Sequence, residues 1–102
     1  MKGNIVRNEE RFVMRYNSVL DLHTHTVASG HAYCSLREMA KAASEKGLEV
    51  LGITEHAPSM PGTCHKFYFN NLKVVPREMY GIQLLLGSEV NILDAQGTVD
   101  LA

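Results

Sequence analysis

Three short apolar runs recur along this chain of 102 residues, and each is followed by a histidine or a glutamate. Residues 18–22, 48–54 and 82–88 have the length and the apolar composition of buried β-strands. The second run is almost continuously apolar, which is typical of a parallel strand that is covered on both faces. Because parallel strands bring their carboxyl ends to one edge of a sheet, the polar residues that follow the runs are expected to meet there.

A helical segment separates the first two runs. Ser35 is a good N-cap residue, and Glu38, three positions later, completes a capping box. Gly47 suits the position just after the helix. The apolar stripe between these signals has helical spacing and consists of Leu36, Met39, Ala40 and Ala43. The sequence therefore predicts a right-handed strand–helix–strand unit and an α/β fold with mostly parallel strands.

The other segments carry weaker signals. Proline and glycine in residues 57–69 predict a loop, and residues 76–80 are predicted to form one helical turn. Residues 90–93 and 98–101 flank a turn-like segment, which predicts a hairpin. Residues 1–17 are charged and show little periodicity, so they are predicted to be an N-terminal extension of low order, with the domain starting at residue 18.

Composition excludes several classes of protein. The net charge of −1 provides no strong signal for nucleic-acid binding, and no apolar run approaches the roughly 18 residues needed to cross a membrane. Cys34 and Cys64 lie thirty residues apart without a metal-type spacing, so they are interpreted as two reduced thiols of a cytoplasmic protein.

His23 and His25 stand two positions apart at the end of the first run. In an extended strand such residues point to the same face, so both imidazoles can reach one metal ion. Taken alone, the pair leaves open whether the residues bind metal or are ordinary strand histidines. His56, after the second run, and Glu89, after the third, favour a metal site, and a carboxylate such as Glu89 can bridge two ions.

Other polar residues near these strand ends have simpler interpretations. From spacing alone, His31 is either a loop histidine or a ligand of a separate ion, and Asp21 is expected to accept a hydrogen bond from a ligand imidazole. His65 is interpreted as a loop histidine that faces the entrance of the site. The chemistry that such a metal site supports is hydrolysis, because a bound divalent ion lowers the pKa of its water toward about 7.

Four segments, in order, resemble the polymerase and histidinol phosphatase (PHP) superfamily. They are Asp21-Leu22-His23-Thr24-His25, His31, residues 53–58 and residues 87–92. The resemblance covers about residues 17–102 and is strongest for the small stand-alone bacterial phosphatases. It implies a distorted, seven-stranded βα barrel, similar to a TIM barrel, with sites for up to three metal ions. These ions would be zinc, with manganese or iron as alternatives.

The resemblance also implies roles for individual residues. His23 and His25 would hold the first ion together with Glu89, which would bridge to a second ion. His31 and His56 would hold a third ion. The implied reaction is hydrolysis of a small phosphorylated substrate by metal-bound hydroxide, with His23, His25 and Glu89 as the catalytic set. Glu55 stands where many members have aspartate and is not assigned as a ligand.

Length is the main departure from the superfamily, whose whole domain is more than twice as long as this chain. The chain is therefore expected to be the N-terminal portion of such a barrel. Either the chain is a truncated product, or further copies in a homo-oligomer cover its open sheet edge. Two alternatives remain: a truncated, non-catalytic metal-binding module, and a nuclease-type PHP module attached to a DNA polymerase, which the net charge disfavours.

Overall fold

The computed structural model describes residues 18–101, which form a four-stranded sheet and two short α-helices. Three parallel strands, β1 (Leu20–Thr24), β2 (Val50–His56) and β4 (Ile82–Glu89), lie in the order β1-β2-β4. The two-residue strand β3 (Glu78–Met79) pairs antiparallel with β4 at the far edge. The predicted α/β fold with mostly parallel strands is confirmed, and the predicted extension over residues 1–17 lies outside the described residues.

Helix α1 (Leu36–Glu45) begins with the predicted capping box. The Ser35 hydroxyl accepts a hydrogen bond from the Glu38 backbone at 3.2 Å, and the Glu38 carboxylate accepts one from the Ser35 backbone at 2.7 Å. The chain leaves the helix through Gly47, whose φ of 84° is a left-handed conformation that glycine adopts without strain. Local sequence signals therefore determine both ends of this helix.

The core lies between α1 and one face of the sheet. Its buried residues come from α1, β2 and β4, and they are Ala40, Ala43, Leu51, Ile53, Ile82 and Leu84. The opposite face of the sheet is open in the described part of the chain. Leu20, Leu22 and Leu85 are 48%, 51% and 45% exposed there. The parallel strands are expected to be covered on both faces, and among the described residues only the face toward α1 is covered.

Both of the first two strands lie two residues later than predicted. The predicted range 18–22 becomes Leu20–Thr24, and the predicted range 48–54 becomes Val50–His56. The polar residues that marked the strand ends belong to the ladder, since Thr24 pairs with Ile53 and His56 pairs with Glu89. Pairing with a neighbouring strand outweighs the change from apolar to polar side chains at these positions.

The predicted loop contains helix α2 (Lys66–Asn71). Its N-cap is His65, whose Nδ1 accepts a hydrogen bond from the backbone of Phe67 at 3.1 Å. The prolines and the glycine that indicate a loop all precede residue 63, so the loop that they predict ends before this helix. His65 therefore lies in the loop, as predicted, and caps the helix that follows it, while its position at the site entrance stays a prediction.

The predicted helical turn over residues 76–80 is wrong. This segment contains β3 and a two-residue turn to β4, in which Met79 pairs with Ile82. Tyr80 and Gly81 have φ values of 54° and 80°, the left-handed pair that joins tightly paired antiparallel strands.

The predicted hairpin near the end of the described chain is reduced to one antiparallel bridge, between Ile92 and Val99. No helix of the described residues is long and apolar enough to span a membrane.

A β-bulge interrupts the pairing of β1 with β2. Asp21 pairs with Leu51 and Thr24 pairs with Ile53, so two residues of β1 lie opposite Gly52 alone. The bulge brings the backbone of β1 so close that a Cβ at Gly52 would lie 2.7 Å from the carbonyl oxygen of Leu22. Only glycine fits this position without displacing β1.

We expect Gly52→Ala to lower the free energy of unfolding by about 1–3 kcal/mol, because the added methyl group overpacks the β1–β2 contact. Gly87→Ala is the matched control, since its Cβ would meet the Thr54 methyl group at an ordinary 3.9 Å. The control should change stability little, or raise it by about 0.4–1 kcal/mol. Urea unfolding of both variants tests the difference, and equal effects would contradict the proposed close approach.

Candidate metal centre

The predicted ligands gather at the carboxyl ends of the three parallel strands. Oε1 of Glu89, at the end of β4, lies 3.0 Å from Nε2 of His23 and 3.1 Å from Nε2 of His25. It also lies 3.6 Å from Nδ1 of His56, at the end of the neighbouring strand β2. Parallel pairing explains this convergence, because His56 and Glu89 are register partners.

Three of these atoms have the spacing of metal ligands. The two Nε2 atoms of His23 and His25 are 3.2 Å apart, so with Oε1 of Glu89 they form a nearly equilateral triangle. Four ligands held about 2.0–2.1 Å from a zinc ion at tetrahedral angles lie about 3.3 Å from one another. The triangle therefore fits one face of a tetrahedral site, and two imidazoles with one carboxylate also suit manganese or iron.

The other two histidines lie beside the triangle. The His56 ring stacks on the His25 ring with their centroids 4.4 Å apart, and the His31 ring lies 4.7 Å from that of His56. His31 is exposed in the loop after β1. The structure thus brings all five predicted ligands into one cluster, in which the rings of His31 and His56 both lie near that of His25.

The protonation of the cluster suits metal binding. Burial is the main cause that holds the pKa of His25 below its ordinary value, and the neighbouring His56 adds to this effect. A hydrogen bond from His23 is the main cause that lowers the pKa of Glu89. At neutral pH the site therefore offers a neutral imidazole and an ionised carboxylate, the forms in which these groups bind metals.

The bulge turns the two histidines of β1 away from the core. Asp21 and Thr24 share the face of their partners Leu51 and Ile53, so the residues on either side of Thr24 point to the opposite face. Asp21 accordingly accepts its hydrogen bond from the backbone of His23, at 3.2 Å. The prediction that it contacts a ligand imidazole is wrong, because that prediction assumed an unbroken strand.

An open pocket of about 260 Å³ adjoins the cluster. Its lining residues come from the same ends of β1, β2 and β4, and they are Leu22, His23, Thr54, Ser88 and Glu89. Two of these side chains are ligand candidates, so a molecule in this pocket would contact the metal centre directly.

Glu55 is the functional candidate that the sequence interpretation missed. It is completely buried, and its carboxylate accepts hydrogen bonds from the Thr26 backbone at 2.8 Å, the Ser29 hydroxyl at 2.7 Å and the Tyr68 hydroxyl at 3.3 Å. The Thr26 hydroxyl is a fourth donor. Burial, together with this carboxylate, raises the pKa of Tyr68 to about 12.

One sequence signal would have found Glu55. It lies two and four positions after Ile53 and Leu51, both of which face the core, so strand periodicity alone directs its side chain inward. An ionisable residue at an inward position needs hydrogen-bond partners, so a glutamate there is expected to bind to neighbouring segments of the site.

Comparison with known proteins gives a consistent assignment. The family model described as PHP domain matches residues 21–101. A probable phosphatase of Clostridium novyi (strain NT) is 60% identical over 88 residues, which cover 86% of this chain and 35% of the relative. A probable phosphatase of Thermoanaerobacter sp. (strain X514) is 52% identical over 83 residues, which cover 81% of this chain and 34% of the relative. The chain spans about a third of the length of the curated relatives it matches. The predicted resemblance is confirmed.

In the metal-free chain, we expect His25 to titrate below the ordinary histidine value of about 6.5, because burial and His56 disfavour the imidazolium. The unfolded chain then binds this proton at a higher pH than the folded chain. The stability that His25 contributes is therefore present above about pH 6.5 and is lost as the pH falls toward its folded pKa. An NMR titration, with the signal assigned through His25→Gln, measures this midpoint. A midpoint at or above 6.5 would contradict the expectation.

Proposed function

Because the chain belongs to the PHP domain family, we propose that it carries the metal-binding edge of a phosphatase that hydrolyses phosphate monoesters with divalent metal ions. The ligand triangle of His23, His25 and Glu89 is the observation that carries this proposal. The names of the relatives support the same reaction, since proteins that are 60% and 52% identical in this segment are named probable phosphatases.

We assign His23, His25 and Glu89 to the first ion and His31 and His56 to a third, with Glu89 bridging from the first to a second. Support for the bridging role is that Glu89 faces both His23 and His25 with the same oxygen, Oε1, and a carboxylate can offer its second oxygen to another ion. Zinc suits the ligand set best, and manganese or iron would also fit. When bound, such ions would lower the pKa of coordinated water and neutralise the charge of a phosphate group.

The chain's own groups would prepare the site for this reaction. Glu89, with its lowered pKa, stays ionised, and His25 stays neutral, so both are ready to bind metal near neutral pH. The adjoining pocket, lined in part by Thr54 and Ser88, is open to solvent and could admit a small phosphorylated substrate. We take His23, His25 and Glu89 as the catalytic set because they form the ligand triangle, and two of them, His23 and Glu89, also line this pocket.

We further propose that the sheet is part of a larger βα barrel. The support is the face opposite α1, where Leu20, Leu22 and Leu85 are about half exposed, a surface that barrel closure would bury. The matched relatives are about three times as long as the shared segment. The missing cover and the further ligands would come from such additional chain, or from a second copy in a homo-oligomer.

We place the reaction in a reducing compartment such as the cytoplasm. Cys34 is an exposed free thiol and Cys64 is a half-buried one. Free thiols of this kind persist where thiol-reducing systems operate.

We expect the full chain, loaded with zinc or manganese, to hydrolyse a generic aryl phosphate. His23→Ala and Glu89→Gln should each lower kcat/KM at least about 100-fold, since removing a ligand costs more than the 10- to 100-fold typical of a residue behind it. Glu45→Gln is the matched control, because Glu45 lies on the exposed face of α1 in an ion pair with Lys41. Steady-state kinetics measure the effect.

Elemental analysis and native mass, measured on the same samples, separate the alternatives. Bound metal without turnover would refute the phosphatase proposal for this chain and support a non-catalytic metal-binding module. Cleavage of single-stranded DNA without monoester hydrolysis would refute it in favour of a nuclease-type module.

A further inference from the structure

Ser29 connects the buried carboxylate of Glu55 to the candidate ligand His25. Its Oγ lies 2.7 Å from Oε1 of Glu55 and 3.0 Å from Nδ1 of His25. The same Oγ accepts a hydrogen bond from the backbone N–H of His56 at 2.9 Å. Ser29 and Glu55 are both completely buried, so water does not compete for these contacts.

The hydrogen-bond capacity of Ser29 determines the direction of each bond. A serine hydroxyl has one proton to donate and two lone pairs that accept. The His56 N–H occupies one lone pair, which leaves one proton and one lone pair for Glu55 and His25. A carboxylate only accepts, so Ser29 donates its proton to Glu55 and accepts a hydrogen bond from Nδ1–H of His25.

The surroundings of Glu55 support its role as an acceptor. Oε1 already faces the backbone N–H of Thr26 at 2.8 Å. Oε2 faces the Thr26 hydroxyl, whose own oxygen accepts a hydrogen bond from Ala28 at 3.2 Å and so leaves its proton for the carboxylate. The hydroxyl of Tyr68 provides another donor for Oε2.

The opposite tautomer of His25 would conflict with this arrangement. If Nδ1 were the unprotonated nitrogen, Ser29 would donate to it. The lone pairs of Ser29 Oγ and Glu55 Oε1 would then face each other at 2.7 Å. That contact is repulsive in a site without water, and it would leave a buried acceptor unsatisfied.

We propose that Glu55 and Ser29 are positioning residues that hold His25 as its Nδ1–H tautomer, with the lone pair of Nε2 directed into the metal centre. This Nε2 is the atom of His25 in the ligand triangle, 3.1 Å from Oε1 of Glu89. The inference rests on the proposed metal centre, but it does not depend on which reaction that centre performs.

The arrangement has a general physical counterpart. A metal-binding histidine commonly donates its second N–H to a carboxylate, which fixes the ring and increases the basicity of the ligand nitrogen. Here the Ser29 hydroxyl lies between the two groups: it accepts a hydrogen bond from the imidazole and donates one to the carboxylate. Glu55 forms no ion pair with a lysine or arginine among residues 18–101. A metal ion bound to Nε2 of His25 would therefore provide the positive charge that balances the Glu55 carboxylate.

The tautomer itself is the first test and needs no variant. It is measured with zinc bound, because in the metal-free chain Oε1 of Glu89, 3.1 Å from Nε2 of His25, would itself favour a proton on that nitrogen. Long-range ¹H–¹⁵N NMR spectra of the zinc-loaded full chain distinguish a His25 that carries Nδ1–H and binds through Nε2 from one that carries Nε2–H and binds through Nδ1. His25 should be Nδ1–H in the wild-type chain, and in Ser29→Ala this proton should exchange faster with solvent. An Nε2–H tautomer of His25 in the wild-type chain would overturn the proposal.

Zinc affinity is the second test, measured by competition with a chromophoric chelator. Ser29→Ala and Glu55→Gln should each weaken binding by about 10- to 100-fold. Glu55→Asp retains the negative charge and should bind more tightly than Glu55→Gln. Glu45→Gln, the same chemical change at an exposed position, should leave the affinity unchanged.

Circular dichroism separates these effects from loss of structure. Folded Ser29→Ala and Glu55→Gln chains that keep both the wild-type exchange of the Nδ1 proton and the wild-type zinc affinity would refute the positioning role. Absence of phosphatase activity would count against the proposed function alone, because neither the tautomer nor the zinc affinity depends on turnover.

Discussion

The buried carboxylate of Glu55 is the interaction on which the candidate site most depends. A charge enclosed in a protein is costly unless hydrogen bonds replace its water, and Glu55 receives four. Its donors belong to the turn after β1 and to α2, whereas Glu55 itself belongs to β2. The carboxylate therefore joins three separate segments of the chain. Removing it would leave buried donors without partners in the turn that follows β1, next to His25, so Glu55 contributes both to the shape of the site and to the stability of this region.

Backbone geometry provides the second constraint. In an unbroken β1, Asp21, His23 and His25 would share one face, and that face packs on α1. The bulge opposite Gly52 reverses the alternation, so both histidines reach the face where Glu89 and His56 lie. The close approach that requires glycine in β2 is thus also the feature that directs the metal ligands. The bulge therefore determines on which face of the sheet His23 and His25 lie.

The buried Glu55 carboxylate and the bulge in β1 are the features that the sequence predicts least well. Strand ends, the capping box at Ser35 and the His23–His25 pair depend on local patterns, and the structure places them as expected within two residues. The bulge leaves no signal in β1 itself, because it arises from pairing with β2, and its sequence mark is the glycine opposite it, Gly52. The Asp21 prediction fails because it assumes an unbroken strand. Helix α2 is not predicted, because the prolines and the glycine just before it indicate a loop and a six-residue helix has too few residues to show a clear apolar period. The inward position of Glu55 follows from strand periodicity, whereas a family pattern of metal ligands says nothing about a carboxylate that lies behind them.

Formation of the site and completion of the fold have different structural requirements. The ligand triangle forms from residues that the structure describes, whereas the apolar face that carries Leu20, Leu22 and Leu85 has no cover among residues 18–101. A metal ion held by β1 and β4 would link two strands that are not adjacent, because β2 lies between them. Its binding free energy would add to the stability of the sheet, since the unfolded chain does not hold the three ligands together. Metal would then stabilise the sheet, whose second face is not packed among the described residues. The hydrogen bonds from His25 to Ser29 and from Ser29 to Glu55 would strengthen metal binding and so increase this stabilisation.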